Sequence, residues 1–303
     1  AEKPWPDVEY EIKGRTLILR GKSGMGRTIQ QETSFDFDLN IFESYAGGQK
    51  FTMSFLEMNS AKFSFEIELA NDRISGLEKA TDTLRRSGAQ IMINGGYFDQ
   101  NQNLPIGLLV RNGEVLGLPT LGRPAIYFTE EGRVHVSRMD IIYLARFDDR
   151  FVQITGVNSP YRGEAVLYTD EYRNGIPEFD DFVYLSIRDG RIISKGFVSR
   201  VEKGLDVLVL SPSSLQKISD SVSVGRAVSL ELLNSYGERI TGAVEGGPMI
   251  IHNSRPVTDY ERNYYSASLL DVRAPRTLVG VKVTGEVVFI VIDGYQQSSY
   301  GLT

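Results

Sequence analysis

Three short stretches of this sequence place a polar side chain beside glycines at the end of an apolar run. They are Asn94-Gly95-Gly96-Tyr97, Glu245-Gly246-Gly247 and Asp293-Gly294. An Asn side chain offers two donors and an acceptor, which suits sugar hydroxyls, and carboxylates act as acids, bases or nucleophiles. Glycines allow the backbone to approach a ligand closely. Taken singly, each stretch is more typical of a turn or a solvated loop.

A fourth stretch, Arg273-Ala274-Pro275-Arg276-Thr277, places two guanidinium groups around a proline. Arginine binds phosphate or carboxylate with two parallel hydrogen bonds. The plainer interpretation is a surface pair with Asp271, which has little effect on stability. If the four stretches meet, their groups suit a phosphorylated sugar.

The elements that must position these groups are mainly strands. Alternating or continuous apolar runs predict strands at 51–55, 63–67, 91–93, 205–210, 227–233, 278–283 and 287–292. Asn112-Gly113, Glu131-Gly132 and Asp189-Gly190 predict three hairpin turns. Helices are predicted at 77–87, ending at Gly88, and at 213–219. The predicted fold class is α+β, a β-rich mixed fold with few helices in which the Gly-rich loops at strand ends form one cleft.

The chain is predicted to have two parts. Residues 1–45 are predicted to be an N-terminal extension with a β hairpin, because 8–12 alternates apolar and polar residues, Gly14 turns, and 16–19 returns as a mostly apolar run. Residues 46–303 form the main domain. A chain of 303 residues is long enough for a sizeable core.

Composition excludes several classes of protein and site. A net charge of −6 with scattered Lys and Arg argues against a nucleic-acid binder. No apolar run reaches transmembrane length, so the chain is not expected to span a membrane. The absence of cysteine removes disulfides and thiolate metal sites, and with only two histidines neither a metal nor another cofactor is expected.

The four stretches, in this order, resemble the phosphodiester glycosidase family. Further stretches fit the same family: Gly107-Leu108-Leu109-Val110, Gly122-Arg123-Pro124-Ala125, Val157-Asn158 and Glu164 to Thr169. The resemblance covers about residue 50 to the end of the chain. It implies a hydrolase that cleaves the glycosidic bond of a sugar-1-phosphodiester, giving free sugar and a phosphomonoester.

The resemblance also implies site residues. Glu245 and Asp293 are assigned as the catalytic carboxylates, with the roles of acid, base and nucleophile left open between them. The substrate-binding residues assigned are Asn94, Gly95, Gly96, Tyr97, Arg123, Asn158, Gly246, Gly247, Arg273, Arg276, Thr277 and Gly294, with Arg276 on the phosphate. The expected partner is a carbohydrate or sugar phosphate.

The sequence departs from the family pattern at two places. Tyr295 stands where the family has arginine, and the family continues past Thr303 to an Asp-Gly-Gly-Gly-Ser motif, so the domain is expected to lack the family's C-terminal end. A non-catalytic glycan-binding or polysaccharide-assembly protein on the same fold is therefore the alternative. The resemblance to bacterial exported proteins implies an extracytoplasmic protein whose signal peptide has already been removed.

Overall fold

Strands dominate the chain, as its alternating and apolar runs predict. The computed structural model describes residues 8–13, 16–21, 27–33, 36–120, 122–257 and 264–302, with side chains from residue 36 onward. Strands account for 41% and helices for 11% of the structure. The predicted β-rich mixed class is confirmed.

The first half of the strands, numbered along the chain, are β1 Val8–Lys13, β2 Thr16–Gly21, β3 Arg27–Thr33, β4 Phe37–Ala46, β5 Gln49–Met58, β6 Phe98–Asp99, β7 Leu104–Pro105, β8 Leu109–Arg111, β9 Glu114–Gly117, β10 Ala125–Thr129, β11 Val134–Ser137 and β12 Ile141–Phe147. The second half are β13 Arg150–Gln153, β14 Gly156–Val157, β15 Ala165–Tyr168, β16 Val183–Arg188, β17 Arg191–Lys195, β18 Asp206–Leu210, β19 Ser229–Asn234, β20 Ile240–Glu245, β21 Ile251–His252, β22 Arg255–Pro256, β23 Arg276–Val281 and β24 Val287–Ile292.

The helices are short. The α-helices are α1 Ala80–Ser87, α2 Pro212–Ile218 and α3 Ala267–Leu270, and single 3₁₀ turns occur at Ser60–Lys62, Ala70–Asp72 and Ser219–Ser221. α1 ends at Gly88, whose φ of +70° lets its N–H bond to Leu84 O at 3.1 Å, as predicted. The predicted helix at 213–219 is confirmed as α2, which begins with Pro212 behind the N-cap Ser211.

The chain divides into two compact units, each built from separated segments. Unit 1 comprises Ala1–Phe65, Leu121–Ser137 and Gly247–Thr303, and unit 2 comprises Glu66–Thr120 and Arg138–Gly246. The proposed domain boundary near residue 45 stays a prediction. β4, which runs to Ala46, pairs along its length with β5 of the same unit.

Unit 1 contains an antiparallel five-stranded sheet with the order β23-β24-β5-β4-β3. Two-stranded pairs β1-β2, β10-β11 and β21-β22 belong to the same unit. The sheet buries Phe51, Met53 and Ile292, with the Leu278 and Ile290 side chains packed against them. This core holds β24 in place, and β24 leads directly into Asp293.

Unit 2 contains three sheets and a small hairpin. Their strand orders are β14-β15-β18-β16-β17, β13-β12-β19, β20-β8-β9 and β6-β7. Within these orders, β14 and β15 run parallel and the other pairs are antiparallel. The core of the unit lies around Tyr168, Tyr172, Val207 and Val209. β20, β8 and β9 carry the loops around Glu245.

The three predicted hairpins are confirmed, and two of them have the turn chemistry expected of their sequences. Asn112 and Gly113 between β8 and β9 have φ values of +52° and +81°. Asp189 and Gly190 between β16 and β17 have φ values of +49° and +67°. Two consecutive left-handed residues define the tight turn that Asn-Gly and Asp-Gly favour.

Two predicted strands are wrong. Residues 91–93 and 63–67 are not in strands. Ile91 is exposed, and the chain there runs as a loop that pairs with no strand. The alternation at 63–67 reflects side-chain packing instead of strand pairing: the Phe65 ring stacks on Phe128 with centroids 5.2 Å apart. The predicted helix at 77–87 begins later, at Ala80, and Leu77 is exposed.

Candidate functional site

Glu245 lies at the end of β20 and is the centre of a set of backbone contacts in unit 2. Only 2% of the residue is exposed. Its Oε2 accepts hydrogen bonds from Leu108 N at 3.1 Å and from Thr120 N at 2.7 Å, and its own N–H bonds to Leu108 O at 2.9 Å. Two N–H donors aimed at one carboxylate oxygen stabilise its charged form and fix its orientation. We call Glu245 with Leu108 and Thr120 the Glu245 clamp.

Gly107 makes room for the clamp. Its φ is +93°, and a Cβ built on it would lie 2.3 Å from Glu245 Oε1 and 2.4 Å from Cδ. A side chain at this position would therefore displace the carboxylate. Glycine is required twice over, for the left-handed backbone and for the space that the carboxylate occupies.

The predicted glycine pair packs against the same strand end. A Cβ on Gly96 would lie 2.3 Å from Glu245 O, and one on Gly95 would lie 3.5 Å from Val244 Cγ1. Asn94, just before the pair, is exposed, and Tyr97 is half-buried. Unit 2 thus brings two of the predicted motifs together, Asn94-Gly95-Gly96-Tyr97 and Glu245-Gly246.

Unit 1 brings Gly247 and Arg123 together around two tyrosines. Arg123 donates from Nε at 3.3 Å and from Nη2 at 2.8 Å to Tyr264 O, and its guanidinium lies 5.1 Å from the Tyr265 ring centroid. Gly247 has a φ of +109°, and a Cβ there would lie 2.1 Å from the Tyr265 hydroxyl. These contacts hold the Arg123 guanidinium between the Tyr264 carbonyl oxygen and the Tyr265 ring.

The two arginines predicted to contact phosphate bind backbone carbonyls of unit 1. Arg273 donates from Nη1 to Gly301 O at 3.0 Å and from Nη2 to Ala46 O at 2.8 Å. Arg276 donates from Nη2 to Leu269 O and Val272 O, both at 2.7 Å. These bonds give both arginines a structural role. Both hydrogen bonds of Arg276 are donated by its Nη2, so its Nε and Nη1 do not contribute to these two bonds.

Asp293 is an exposed carboxylate on a fixed backbone. Its N–H bonds to Thr52 O at 3.0 Å, and its carbonyl accepts a bond from the Ser299 hydroxyl at 2.6 Å. Gly294 packs so closely on Pro275 that an added Cβ would lie 2.4 Å from Pro275 N. Thr277 lies half-buried on β23, opposite Val291. The Asp293 carboxylate is thus presented to solvent from an ordered strand end.

Asn158 is 4% exposed and is used inside unit 2. Its Nδ2 donates to Leu116 O at 3.2 Å and to Thr169 Oγ1 at 3.1 Å, and its Oδ1 accepts from Thr169 N at 2.9 Å. These bonds favour a structural role over the predicted contact with substrate. A buried amide with its donors and acceptor in use stabilises the loop that holds it.

A cluster of acidic side chains in unit 2 escaped the sequence analysis. The charges of Asp170, Glu171 and Asp206 act on the carboxyl of Glu114, and Glu171 accepts a hydrogen bond from Thr169 Oγ1 at 3.0 Å. Asp170 and Glu171 are adjacent in sequence, but Glu114 and Asp206 come from other strands. In the sequence, only the adjacent pair Asp170-Glu171 could have indicated an acidic cluster.

Ionisation of this acidic cluster is strongly perturbed. Although the Glu114 residue as a whole is exposed, partial burial of its carboxyl raises its pKa to about 8, and repulsion from Glu171, Asp206 and Asp170 adds to the effect. Burial raises the pKa of Asp206 to about 6, with added repulsion from Asp170 and Glu171. Burial also raises the pKa of Glu171. Desolvation disfavours the charged form of each of these three carboxyls, and the Glu114 carboxyl is raised far enough to keep its proton at neutral pH.

Within the described ranges, no group of three or more His, Asp or Glu side chains has an arrangement that could hold a metal ion. None of the described helices has the length and apolarity needed to cross a membrane.

Comparison with solved structures shows the fold. A crystal structure of a hypothetical protein from Synechocystis superimposes with a TM-score of 0.73 at 16% identity, over 98% of this chain and 58% of that one. A "putative exported protein" from Burkholderia pseudomallei K96243 matches with a TM-score of 0.64 at 16% identity, over 86% of this chain and 64% of that one. The chain therefore spans less than two thirds of the length of either relative.

Comparison by sequence gives a family match over part of the chain. None of the curated proteins matches this chain. Residues 161–303 match the sequence model of a family described as phosphodiester glycosidase, and this range contains three of the four motifs, those of Glu245, Arg273 and Asp293. The resemblance predicted from the motifs is thus confirmed, and residues 161–303 are similar to the phosphodiester glycosidase family.

Proposed function

We propose that this chain is a glycosidase-type hydrolase that cleaves the glycosidic bond of a sugar-1-phosphodiester. The supporting observation is the match of residues 161–303 to the phosphodiester glycosidase family. The substrate is then a carbohydrate joined through its anomeric oxygen to a phosphodiester. The products are free sugar and a phosphomonoester.

In the proposed reaction, the bond between the anomeric carbon and the phosphate oxygen breaks, and its electron pair leaves with the phosphomonoester. A water oxygen forms the new bond to the anomeric carbon, and the proton that this water loses passes to a carboxylate and from there to the released phosphomonoester or to solvent. The phosphate is a good leaving group, so the main need is a carboxylate that stabilises positive charge on the sugar or activates the water. Asp293 is the accessible carboxylate for this role, since it is exposed at a fixed strand end.

Glu245 has a different role, which is to hold the loops of the site in place. Because the residue is 2% exposed and its Oε2 accepts two backbone N–H groups, its carboxyl group is fixed in orientation and holds the Gly107 and Thr120 loops. Nε and Nη1 of Arg276, which are outside its two carbonyl bonds, are suited to the phosphate.

The test is hydrolysis of sugar-1-phosphodiesters such as UDP-GlcNAc or a chromogenic analogue. Asp293→Asn is expected to lower kcat by a factor of about 10² to 10⁴, which is the usual contribution of a general acid or base to the rate. Glu245→Gln keeps an oxygen for the two N–H donors, and we expect a smaller fall in kcat, because an amide oxygen accepts weaker hydrogen bonds than a carboxylate and so holds the two loops less firmly. Asp180→Asn and Glu178→Gln, at exposed positions, serve as matched controls. Full activity in Asp293→Asn and Glu245→Gln would contradict the proposal.

The second candidate is a non-catalytic glycan-binding or polysaccharide-assembly protein. It is favoured by the near-complete burial of Glu245 and by the carbonyl bonds of Arg273 and Arg276, which leave few charged groups for catalysis. Sugar binding without turnover in the wild-type protein would support this candidate over the hydrolase.

We also propose that the protein works outside the cytoplasm. One structural relative carries the word exported in its name. Fractionation of producing cells tests this, and recovery of the native protein in the cytoplasmic fraction alone would contradict it.

A further inference from the structure

The small hairpin β6–β7 is anchored at both ends by the Glu245 clamp. Gly96, two residues before Phe98, packs against Glu245 O, and Gly107, two residues after Pro105, packs against its carboxylate. Backbone bonds close the hairpin from Ile106 N to Tyr97 O at 2.8 Å and from Asn103 N to Asp99 O at 2.7 Å. The hairpin is therefore fixed at both ends by its contacts with Glu245.

The two faces of this hairpin differ. Asp99 lies opposite Leu104, and Leu104 is 5% exposed and belongs to the core of unit 2. Phe98 lies opposite Pro105 on the other face, since neighbouring residues of a strand point to opposite sides. Phe98 is 45% exposed and Pro105 is half-buried. An aromatic ring and a pyrrolidine ring thus form a small outward apolar platform.

The platform is preorganised. The Asp99 Oδ1 atom accepts bonds from Asn101 N at 2.8 Å and Gln102 N at 3.2 Å, which fixes the turn of the hairpin. An exposed aromatic ring on a rigid hairpin loses little freedom when a ligand covers it. Its negative π face attracts the weakly positive C–H groups of a saturated ring.

We propose that Phe98 and Pro105 form a sugar-binding platform, on which the C–H face of the substrate's pyranose ring packs beside the Glu245 clamp. The inference rests on the proposed function for the identity of the ligand. A pyranose fits because it is uncharged, offers one apolar face, and leaves its hydroxyls to polar groups such as the exposed Asn94. Phe98 is then a specificity-determining residue and does not take part in bond cleavage.

The experiment compares Phe98→Ala, Phe98→Trp and the control Phe151→Ala. Phe151 is an exposed aromatic of the same unit, 52% exposed on β13, outside the hairpin. With a sugar-1-phosphodiester, Phe98→Ala is expected to raise KM about fivefold to tenfold with kcat nearly unchanged, as loss of a ring contact predicts. Phe98→Trp is expected to keep or lower KM, and Phe151→Ala to leave it unchanged.

A second arm needs no turnover and so separates this inference from the proposed function. Binding of N-acetylglucosamine and, separately, uridine to the full chain is followed by saturation-transfer NMR. Binding of the sugar that is lost in Phe98→Ala supports the platform even if no phosphodiester is cleaved. The platform is overturned if Phe98→Ala binds the sugar as the wild type does, if uridine alone depends on Phe98, or if neither the sugar nor uridine binds. Melting curves check that each variant is folded, as expected for an exposed position.

Discussion

At the residue scale, Glu245 shows how one side chain can organise several loops. Its contacts with Leu108 and Thr120 join parts of the chain that are 137 and 125 residues away. The motif around Glu245 was recognisable in the sequence, but its hydrogen-bond partners were not. They are backbone N–H groups, which every residue except proline carries, so residue identity gives no signal for them.

Gly107→Ala tests the clamp, with Gly225→Ala as its matched control. Both glycines are left-handed, with φ of +93° and +91°, but a Cβ on Gly225 meets nothing within 4 Å. Gly225→Ala is expected to lower the free energy of unfolding by about 1 kcal/mol from backbone strain. Gly107→Ala should cost about 3 kcal/mol, because it also displaces a hydrogen-bonded carboxylate.

The measurement is urea unfolding combined with hydrogen exchange of the Leu108 and Thr120 amides. In Gly107→Ala these two amides should exchange faster, whereas in Gly225→Ala they should not. Equal losses of stability in the two variants would mean that Glu245 moves aside without cost.

At the scale of elements, strand ends and turns place the charged groups. β9 begins with Glu114, β18 begins with Asp206, and β15 ends just before Thr169, Asp170 and Glu171. β18 was predicted from its own apolar run, and β9 follows the predicted turn at Asn112-Gly113. The meeting of their acidic ends could not be predicted, because sheet order is decided by the packing of the whole unit.

The acidic cluster predicts a pH dependence of stability. The pKa of Glu114 is raised from 4.5 to about 8, so the folded chain binds its proton more tightly than the unfolded chain does. The stability of the wild type should therefore fall as pH rises from about 4.5 to about 8, through this group. Partial exposure of Glu114 makes the fall smaller than full burial would give.

Glu114→Gln should remove this part of the pH dependence. At pH above 8 the variant is expected to unfold at a higher temperature than the wild type, and near pH 4 the two should melt alike. Thermal melts across this range are the measurement. Glu178→Gln, at an exposed glutamate outside the cluster, is the control and should follow the wild-type curve. A Glu114→Gln curve parallel to that of the wild type would refute the raised pKa of Glu114.

At the scale of the whole molecule, each unit is assembled from segments that are far apart in sequence. Unit 1 combines three segments, and Arg273 connects two of them through Ala46 O and Gly301 O. Pairings between distant segments form slowly, because the loop between them must close first. Arg273 is therefore expected to act mainly on the stability of this assembly.

Arg273→Met should weaken unit 1 locally by about 3 kcal/mol, since hydrogen bonds to a charged donor contribute about 1.5–3 kcal/mol each. Hydrogen exchange should quicken at the Tyr300 amide, which adjoins Gly301 and bonds to Lys50 O, and less elsewhere in the unit. Arg255→Met, at an exposed arginine of the same unit, should leave exchange unchanged. If Arg273→Met is as stable as the wild type but inactive, the arginine serves the substrate instead.

The sequence alone determined the β-rich class, the turns at Asn112-Gly113 and Asp189-Gly190, the end of α1 at Gly88, and the motifs of the family, because these depend on neighbouring residues and local backbone preference. Tertiary structure alone decided that Glu245 is buried, that Arg273 and Arg276 hold carbonyls, that Asp293 stays exposed, and that residues 91–93 form a loop. Those outcomes depend on which distant segments pack around a side chain, and the neighbouring residues in the sequence do not determine which segments these are.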